Sequence, residues 1–333
     1  MNFLPAHNMQ AIMILSPGRP EVLTLVRRPL PDIRSNEVLI KVAAAGINRP
    51  DVLQRKGLYP PPPDASEIPG LEVSGTIVAL GKEVSHWQIG DSVCALVTGG
   101  GYAEYCAAPA LNCLSIPKGI DLVEAASLPE TFFTVWSNVF DRGQLKAGDS
   151  LLVHGGASGI GVAAIQITSA LGHRVFTTAG NQEKCMACEK LGAEKAINYR
   201  TEDFVAIIKS LTNQQGVNII LDMVAGDYIP KNIDILAQHG RLLIIAFLGG
   251  SKATIDFNQV LRRQLTITGS TLRSQSVEFK AQIADALKKK IWPLLEAKRI
   301  RPVIHTTFPL HEATKAHALM ESNSHIGKIV LTV

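Results

Sequence analysis

Several features that define other classes of protein are scarce in this sequence. No uninterrupted apolar run in the 333 residues reaches the roughly 18 residues that a membrane-spanning helix needs. The five cysteines are thinly spread and odd in number, which argues against a disulfide framework. The formal net charge is only +4, so composition does not favour a nucleic-acid-binding protein. The first residues, MNFLPAHNMQ, lack the basic start and apolar centre of a signal peptide, and we therefore expect a cytoplasmic protein.

A metal site built on cysteines is also poorly supported. Cys185 and Cys188 have C-x-x-C spacing, but they lie in NQEKCMACEKLGA, which reads as a helix that ends at Gly192. No second Cys or His pair with metal-ligand spacing follows. We interpret both as ordinary helix cysteines.

What is present is an ordinary globular composition, with 46% apolar and 19% charged residues. The chain is long enough for two domains. Fold-like alternation begins near Gln10, so residues 1–8 are expected to be a disordered extension. The first 120 residues or so contain short β-rich runs separated by Gly, Pro and Asp, which indicate a compact β-barrel or sandwich.

From about residue 130 the pattern changes to strands alternating with helices. SLLVHGG (150–156) reads as a buried parallel strand, and GIGVAAIQITSALG (159–172) reads as the helix after it. The alternation continues, with a helix from about Thr201 and another near 227–238, through LTITGS (265–270). It predicts a doubly wound parallel sheet of about six strands. Since that sheet is then complete, we infer that the last 60 residues return to the first domain. The domain that contains the parallel sheet is therefore an insertion in the first.

The glycine-rich turn of LVHGGASGIGVAA has two possible chemistries. A nucleophile elbow needs G-x-S-x-G, which fails here because the fifth residue is Ile160. A dinucleotide loop needs G-x-G-x-x-G between a strand and a helix. The run of residues 156–161 fits, with Ser158 in place of the middle glycine, and a turn of purely structural role is the third alternative. The surrounding strand and helix favour a loop that binds a pyrophosphate through backbone N–H groups. We therefore assign cofactor binding to Gly156, Ala157, Ser158, Gly159 and Ile160.

The next strand indicates which dinucleotide is bound. It ends in TTAGNQEK at Gly180, without the acid that binds a ribose 2′-hydroxyl in NAD sites. Lys184 lies one helical turn further on, and Tyr199 ends the following strand. A positive charge and a hydroxyl favour the 2′-phosphate of NADPH; the alternative is that Lys184 and Tyr199 are ordinary surface side chains.

From about residue 9 to 333, the chain resembles the zinc-free NADPH:quinone oxidoreductases of the medium-chain dehydrogenase/reductase superfamily. The resemblance is carried by stretches such as AAAGINRPDVLQRKGLYPPPP, IPGLEVSGTIVALG, SLPETFFTVW, HGGASGIG, LGAEKAINYRTEDF and SHIGKIVL. It implies a GroES-like β-rich catalytic domain (1–128 and 271–333) with an inserted Rossmann NADPH-binding domain (129–270).

The same resemblance implies that no metal is bound. Zinc-dependent relatives place a cysteine and a histidine where this chain has Asn48 and Leu71. Glu72 remains, but one carboxylate cannot replace the three protein ligands of a catalytic zinc. We expect Glu72 to be structural.

Family position also implies roles for six further residues. Asn48 is expected beside the nicotinamide ribose or the substrate oxygen, and Tyr59 at the substrate cleft, which makes these two the catalytic candidates. The further cofactor-binding candidates are Thr134, Phe247, Leu248 and Lys328, with Lys328 over the diphosphate. Four of the six have a structural alternative: Asn48 could cap a turn, Tyr59 anchor a loop, Thr134 bond to its own helix backbone and Phe247 lie in the core. Arg49 and Asp51 are expected to make only surface or loop contacts.

These observations predict an enzyme that transfers hydride from NADPH to quinones or related activated carbonyls. Within the class, the alternative is an enone or enoyl-thioester reductase. Outside it, the alternative is an NADPH-binding protein without turnover that binds RNA through short basic runs such as 288–290. The family also implies a homodimer, for which LTITGST (265–271) is a candidate edge strand.

Overall fold

The structure is a computed structural model and describes residues 7–333. The described chain divides into two compact units. One contains residues 7–133, Arg273–Lys298 and Pro302–Val333, and the other contains Thr134–Leu272 and Arg299–Arg301. The domain boundaries predicted from the sequence, at 129 and 271, lie a few residues before the corresponding boundaries of these units, at Thr134 and Arg273.

The N-terminal segment of the first unit is rich in strands. It contains β1 (Asn8–Ile14), β2 (Leu23–Pro29), β3 (Glu37–Ile47), α1 (Arg49–Arg55), β4 (Glu72–Leu80), β5 (Ser92–Leu96), β6 (Tyr105–Pro109), β7 (Cys113–Ser115) and α2 (Leu122–Ala125). The four prolines at 60–63 lie outside any strand, as their missing N–H groups require. The expected extension over residues 1–8 is corrected at its end, because Asn8 already pairs with Pro29; residues 1–6 lie outside the described residues.

The second unit alternates strands with helices. After α3 (Pro129–Val135) and a π-helical stretch (Trp136–Arg142) come β8 (Ser150–His154), α4 (Gly159–Ala170), β9 (Arg174–Ala179), α5 (Gln182–Lys190), β10 (Lys195–Asn198), α6 (Phe204–Leu211), β11 (Val217–Asp222), α7 (Tyr228–Ile235), β12 (Leu236–Ile244), α8 (Phe257–Arg263) and β13 (Thr266–Gly269). The six strands are all parallel, in the order β10-β9-β8-β11-β12-β13. This is the doubly wound order in which the chain reverses direction next to its first strand.

The chain then completes the first unit with α9 (Val277–Lys290), α10 (Trp292–Glu296), β14 (Ile304–Pro309), α11 (Ala313–Ser322) and β15 (Lys328–Thr332). β15 pairs antiparallel with β3, so the C-terminal strand joins the sheet of the N-terminal segment. That seven-stranded sheet has the order β14-β15-β3-β4-β5-β7, with β6 also on β3. The inference that the tail returns to the first domain agrees with this pairing.

Two helices are shorter than the periodicity suggested, and four short helices, α1, α2, α8 and α10, were not foreseen. α6 begins at Phe204 rather than near Thr201, because Asp203 caps it by accepting from the N–H groups of Val205 and Ala206. α7 ends at Ile235 rather than near residue 238, because Leu236 already pairs with Val217 in the sheet. The unforeseen helices α1 and α8 have seven residues each, too few for a clear hydrophobic period.

Candidate functional site

The glycine-rich turn connects β8 to α4 as the sequence predicts. Ser158 is the N-cap of α4, and its Oγ accepts a hydrogen bond from the N–H of Gly161 at 3.0 Å. Gly159 and Ile160 open the helix, and N–H groups at that position have no carbonyl partner within the helix. Together with the helix dipole they form a site suited to an anion.

Two glycines of this turn cannot be replaced without displacing their neighbours. A Cβ on Gly156 would overlap Oγ1 of Thr177 on β9, and a Cβ on Gly161 would overlap the backbone of residues 155 and 156. Thr177 is itself fixed, because its hydroxyl donates to the carbonyl of Val153 at 2.7 Å. The two glycines therefore allow the turn, β9 and the start of α4 to pack closely, which fixes the shape of the turn. We call residues 155–161 the nucleotide cradle.

Ser158 lacks the partners of an activated nucleophile. Its hydroxyl oxygen accepts from the N–H of Gly161, and its proton is directed to Sδ of Met223 at 3.7 Å, which is not a base. The histidine just before the turn, His154, is completely buried and already bonded on both ring nitrogens, to Thr178 and Asn232. The hydrolase interpretation therefore has no general base at this place.

The bonds of His154 belong to a buried network that supports the cradle. Asn232 donates from Nδ2 to Asp222 at 2.9 Å, so its Oδ1 accepts from Nε2–H of His154 at 2.7 Å. Nδ1 of His154 then accepts from the hydroxyl of Thr178. Burial lowers the pKa of His154, which keeps the ring neutral. Asp222 in turn accepts from two backbone N–H groups after β11, those of Val224 and Ala225, and so fixes the adjoining loop.

The predicted adenosine-end residues lie together beside the end of β9. The hydroxyl of Tyr199 lies so close to Gly180 that a Cβ there would come within 2.9 Å of it. Asn181 caps α5 by accepting from the N–H of Lys184 at 2.8 Å. Burial lowers the pKa of Lys184, and the positive charge of Arg200 lowers it further. Lys184 and Arg200 are thus close enough for their charges to interact, and such a pair of cations favours an anionic ligand. Arg200 was not foreseen from the sequence.

Phe247 and Leu248 lie in the loop after β12 and are 60% and 56% exposed, so Phe247 is not a core residue. The N–H of Leu248 donates to the carbonyl of Met223 at 3.1 Å, which links this loop to the cradle through the Met223 side chain. Thr134 is buried, and its carbonyl accepts from the amide of Asn138 at 2.9 Å.

In the first unit, Asn48 is the centre of a buried polar cluster. It caps α1, but its side chain points to two charged partners. Oδ1 accepts from Nζ of Lys328 at 2.6 Å, and Nδ2 donates to Oε1 of Glu72 at 2.9 Å. Lys328 also forms an ion pair with Glu72 at 2.6 Å and donates to the carbonyl of Ile47 at 3.0 Å. The ammonium of Lys328 therefore has three acceptors here, which leaves it no donor for a diphosphate in this conformation.

Asp51 belongs to a second buried network and is completely buried, which corrects the expectation of a surface or loop contact. Its carboxylate accepts from the N–H of Asn48 at 2.8 Å and from the hydroxyl of Tyr102 at 2.9 Å. The Tyr102 oxygen accepts in turn from Nε2 of His317, whose Nδ1 faces Arg55. Burial raises the pKa of Asp51 to about 6 and lowers that of His317 to about 3. Arg49, by contrast, makes the contact expected of a surface residue, donating to the side chain of Asn323.

Tyr59 lies over the guanidinium of Arg273, whose Cζ is 5.6 Å from the centre of the ring. Nε of Arg273 donates to the carbonyl of Thr98 at 2.8 Å, and Lys280 donates to the carbonyl of Arg273 at 2.9 Å. Glu130 lies near enough to influence all three ionisable side chains, and burial, with the charge of Glu72 second, raises its own pKa to about 8. Tyr59 was predicted from the sequence, whereas these partners were not.

Neither unit offers an evident metal site. Among residues 7–333, no group of three or more His, Cys, Asp or Glu side chains could hold a metal ion. Cys185 and Cys188 are buried on α5 as thiols. In the same part of the chain, no helix is both long enough and apolar enough to cross a membrane.

Comparison with known proteins agrees with both units. Residues 34–118 match the alcohol dehydrogenase GroES-like domain, and residues 159–289 match the zinc-binding dehydrogenase domain. The chain is 35% identical over 330 residues to the quinone oxidoreductase of Lama guanicoe, an alignment that covers 97% of each protein.

Two solved structures show the same architecture. Escherichia coli quinone oxidoreductase, solved in complex with NADPH, is 27% identical, with a TM-score of 0.85 over 98% of this chain and all of that one. CurK enoyl reductase is 28% identical, also with a TM-score of 0.85, over 98% of this chain and 99% of the other.

A GroES-like β-rich unit interrupted by a Rossmann unit with a glycine-rich cradle defines a medium-chain dehydrogenase/reductase. Within that superfamily the chain belongs to the quinone oxidoreductase family, and it is an oxidoreductase. The predicted family and fold class are thereby confirmed.

Proposed function

We propose that this protein reduces quinones, or closely related activated carbonyls, with NADPH and without a metal ion. The observation that carries the proposal is the pair of cations, Lys184 and Arg200, beside Gly180 and Tyr199. Both cations attract the 2′-phosphate, which NADPH carries and NADH lacks.

The chain's own residues fit this cofactor. Glycine at 156 and 161 allows the close packing that shapes the cradle, and the first N–H groups of α4, which are unpaired within the helix, suit a pyrophosphate. We assign Ala157, Ser158, Gly159 and Ile160 to the pyrophosphate, and Gly180, Lys184 and Tyr199 to the adenosine end. Thr134, Phe247 and Leu248 are proposed to contact the nicotinamide end.

NADPH, when bound, supplies the hydride. The residues of this chain supply binding and orientation, since a quinone is already electron-poor and needs little further activation. Asn48 is held rigidly by Lys328 and Glu72, which makes it a fixed polar group for the ribose or the substrate. Tyr59 is proposed to contact the substrate.

Metal independence is supported by the position of Lys328. Its ammonium lies between Asn48 and Glu72, where a cation already balances the one remaining carboxylate. We therefore propose that Lys328 serves this cluster rather than the diphosphate.

A reductase of enones or enoyl thioesters is the second candidate, favoured by the similarity to CurK enoyl reductase. The test is NADPH oxidation by the purified protein with a quinone and with an α,β-unsaturated ketone, before and after dialysis against a chelator. Faster turnover of the quinone that survives dialysis supports the proposal. Turnover of the enone alone favours the second candidate, and a loss that zinc restores contradicts metal independence.

Lys184→Ala tests the cofactor directly. We expect the dissociation constant for NADPH to rise about 10- to 100-fold, the value of one charge-assisted hydrogen bond, while that for NADH changes little. Fluorescence titration of both nucleotides measures this. Equal weakening of the two would contradict a contact with the 2′-phosphate.

A homodimer joined at the edge of the Rossmann sheet, and a cytoplasmic location, also remain proposals. The dimer is supported by the position of β13 at the end of the strand order.

A further inference from the structure

Arg273 presents an unusual combination of burial and incomplete hydrogen bonding. The residue is only 5% exposed. Its Nε is bonded to the Thr98 carbonyl, yet among residues 7–333 nothing accepts a hydrogen bond from its two terminal nitrogens, Nη1 and Nη2. Buried donors without acceptors are costly, so such a group calls for a function.

The rest of the residue is held firmly in place. Lys280 fixes its backbone carbonyl, and Thr98 fixes the near side of the guanidinium. The ring of Tyr59 lies over the guanidinium at 5.6 Å. Tyr59 belongs to an exposed loop segment, in which the preceding Leu58 is 70% exposed. A movement of this loop would uncover the terminal nitrogens without disturbing the anchors of Arg273.

The local charge favours an anion. Arg273 and Lys280 are both cationic, and burial lowers the pKa of each. Asp51 already accepts from three donors, the N–H groups of Asn48 and Gly70 and the hydroxyl of Tyr102. Glu130, with its pKa raised to about 8, is largely protonated at neutral pH. The guanidinium is therefore undercompensated.

We propose that Arg273 binds the oxygen of the reducible substrate when Tyr59 moves off it, and that it stabilises the negative charge which this oxygen acquires. A planar guanidinium with two free nitrogens suits an oxyanion better than an ammonium does. The assignment rests on the proposed function and adds to it the residue that receives the substrate oxygen.

The charge follows from the balance of the reaction. A quinone takes a hydride, which is one hydrogen nucleus with two electrons, from NADPH, which becomes NADP+. One oxygen of the product is then anionic until it takes a proton from water, which yields the hydroquinone. A donor accelerates the reaction when its hydrogen bond to the developing anion is stronger than its hydrogen bond to the neutral carbonyl. An enone places negative charge on its oxygen in the same way.

The test compares Arg273→Met with the wild type and with Arg262→Met, a control on the exposed last turn of α8. We expect kcat/KM for the quinone to fall by about 100-fold or more in Arg273→Met, as for loss of an oxyanion donor. We expect the NADPH dissociation constant to be unchanged and the melting temperature to fall only slightly, because the substitution removes one hydrogen bond, from Nε to the Thr98 carbonyl, besides the two donors that have no acceptor. Arg273→Lys is expected to recover only part of the activity, and Arg262→Met to behave as the wild type.

A second measurement does not depend on turnover. Benzoate, a planar ring with an anionic oxygen pair, is titrated calorimetrically into each protein without NADPH. Binding is expected in the wild type, tighter in Tyr59→Ala, similar to the wild type in Tyr59→Phe and lost in Arg273→Met.

The outcomes separate the two proposals. Wild-type-like kcat/KM in Arg273→Met, or a loss accompanied by a much lower melting temperature and weaker NADPH binding, would overturn the role of Arg273. If the wild type reduces neither acceptor, the proposed function fails, and the benzoate titration still decides: equal binding by wild type and Arg273→Met, or no binding by either, contradicts the anion site.

Discussion

At the scale of single residues, the buried ion pair of Lys328 and Glu72 determines how the Asn48 cluster holds together. Asn48 and Glu72 stand in recognisable stretches of sequence, so their proximity could be anticipated. Their partner Lys328 is 280 positions from Asn48, and only the pairing of β15 with β3 brings it there. A lysine near the C-terminus reads equally well as a phosphate ligand, which is why the sequence alone assigned it to the diphosphate.

Lys328→Met is expected to destabilise the protein by about 3–5 kcal/mol, because it leaves the carboxylate of Glu72 buried without a counter-charge. The double variant Lys328→Met/Glu72→Gln should recover most of that loss, since it removes both charges. Urea denaturation measures the free energies of unfolding. Lys315→Met, which removes an exposed ion pair with Glu312, is the control and should change stability by less than about 1 kcal/mol. Independent, additive losses in the double variant would contradict the pairing.

The raised pKa of Glu130 predicts that the stability of the protein depends on pH. Its folded pKa is about 8 against an ordinary value of 4.5, chiefly through burial and secondly through Glu72, with Lys328 and Lys280 opposing the shift and Asp51 adding to it. Because the folded state holds the extra proton, stability from this group is present at low pH and is lost as pH rises from about 4.5 through 8.

Glu130→Gln should therefore nearly match the wild type near pH 5 and exceed its stability by about 4–5 kcal/mol at pH 9. Thermal or urea denaturation across this range measures the difference. Glu83→Gln, at an exposed position, serves as the control. A difference that stays constant from pH 5 to pH 9 would show that the Glu130 carboxyl does not titrate abnormally.

At the scale of elements, the cradle between β8 and α4 was the most predictable part of the molecule. Local chemistry specifies it: a buried strand, glycines where backbones must approach, and a serine that caps the helix. The network below it was not predictable, because Thr178, Asn232 and Asp222 come from three different elements and surround His154 only once the sheet has formed. The sequence showed His154 as one more residue of an apolar strand.

Gly156→Ala tests the cradle as an element. The added Cβ overlaps Oγ1 of Thr177, so strand β9 and the turn must separate. We expect a loss of about 1–3 kcal/mol in stability, as in other overpacked sites, and weaker binding of NADPH and NADH alike. Fluorescence titration and urea denaturation measure the two effects. Gly269→Ala is the matched control, because its Cβ would meet only the Ile244 carbonyl, at 3.5 Å. Unchanged nucleotide binding in Gly156→Ala would contradict the close approach at this residue.

At the scale of the whole molecule, the family and the two-part fold were accessible from the sequence because ordered motifs extend along nearly all of it. The division into units could be predicted for a physical reason. A parallel sheet needs alternating strands and helices, and that alternation stops after β13. The partners of Tyr59 were not, since Arg273 and Lys280 follow the entire inserted domain and belong to no motif. Side chains recruited from distant segments are set by the completed fold, which local patterns do not encode.

The last prediction concerns the edge of β13, through which we propose that two chains associate. β13 lies at the end of the six-strand order and, among the described residues, pairs only with β12, which leaves one backbone edge able to add a strand. Sedimentation should therefore show a species of twice the 35.9 kDa chain mass. Thr266→Lys, at an exposed position of this edge, should weaken the association about tenfold or more by bringing two like charges together. The matched control is Thr307→Lys on β14, the end strand of the other sheet. A wild-type monomer, or equal weakening by both lysines, would rule out association through β13.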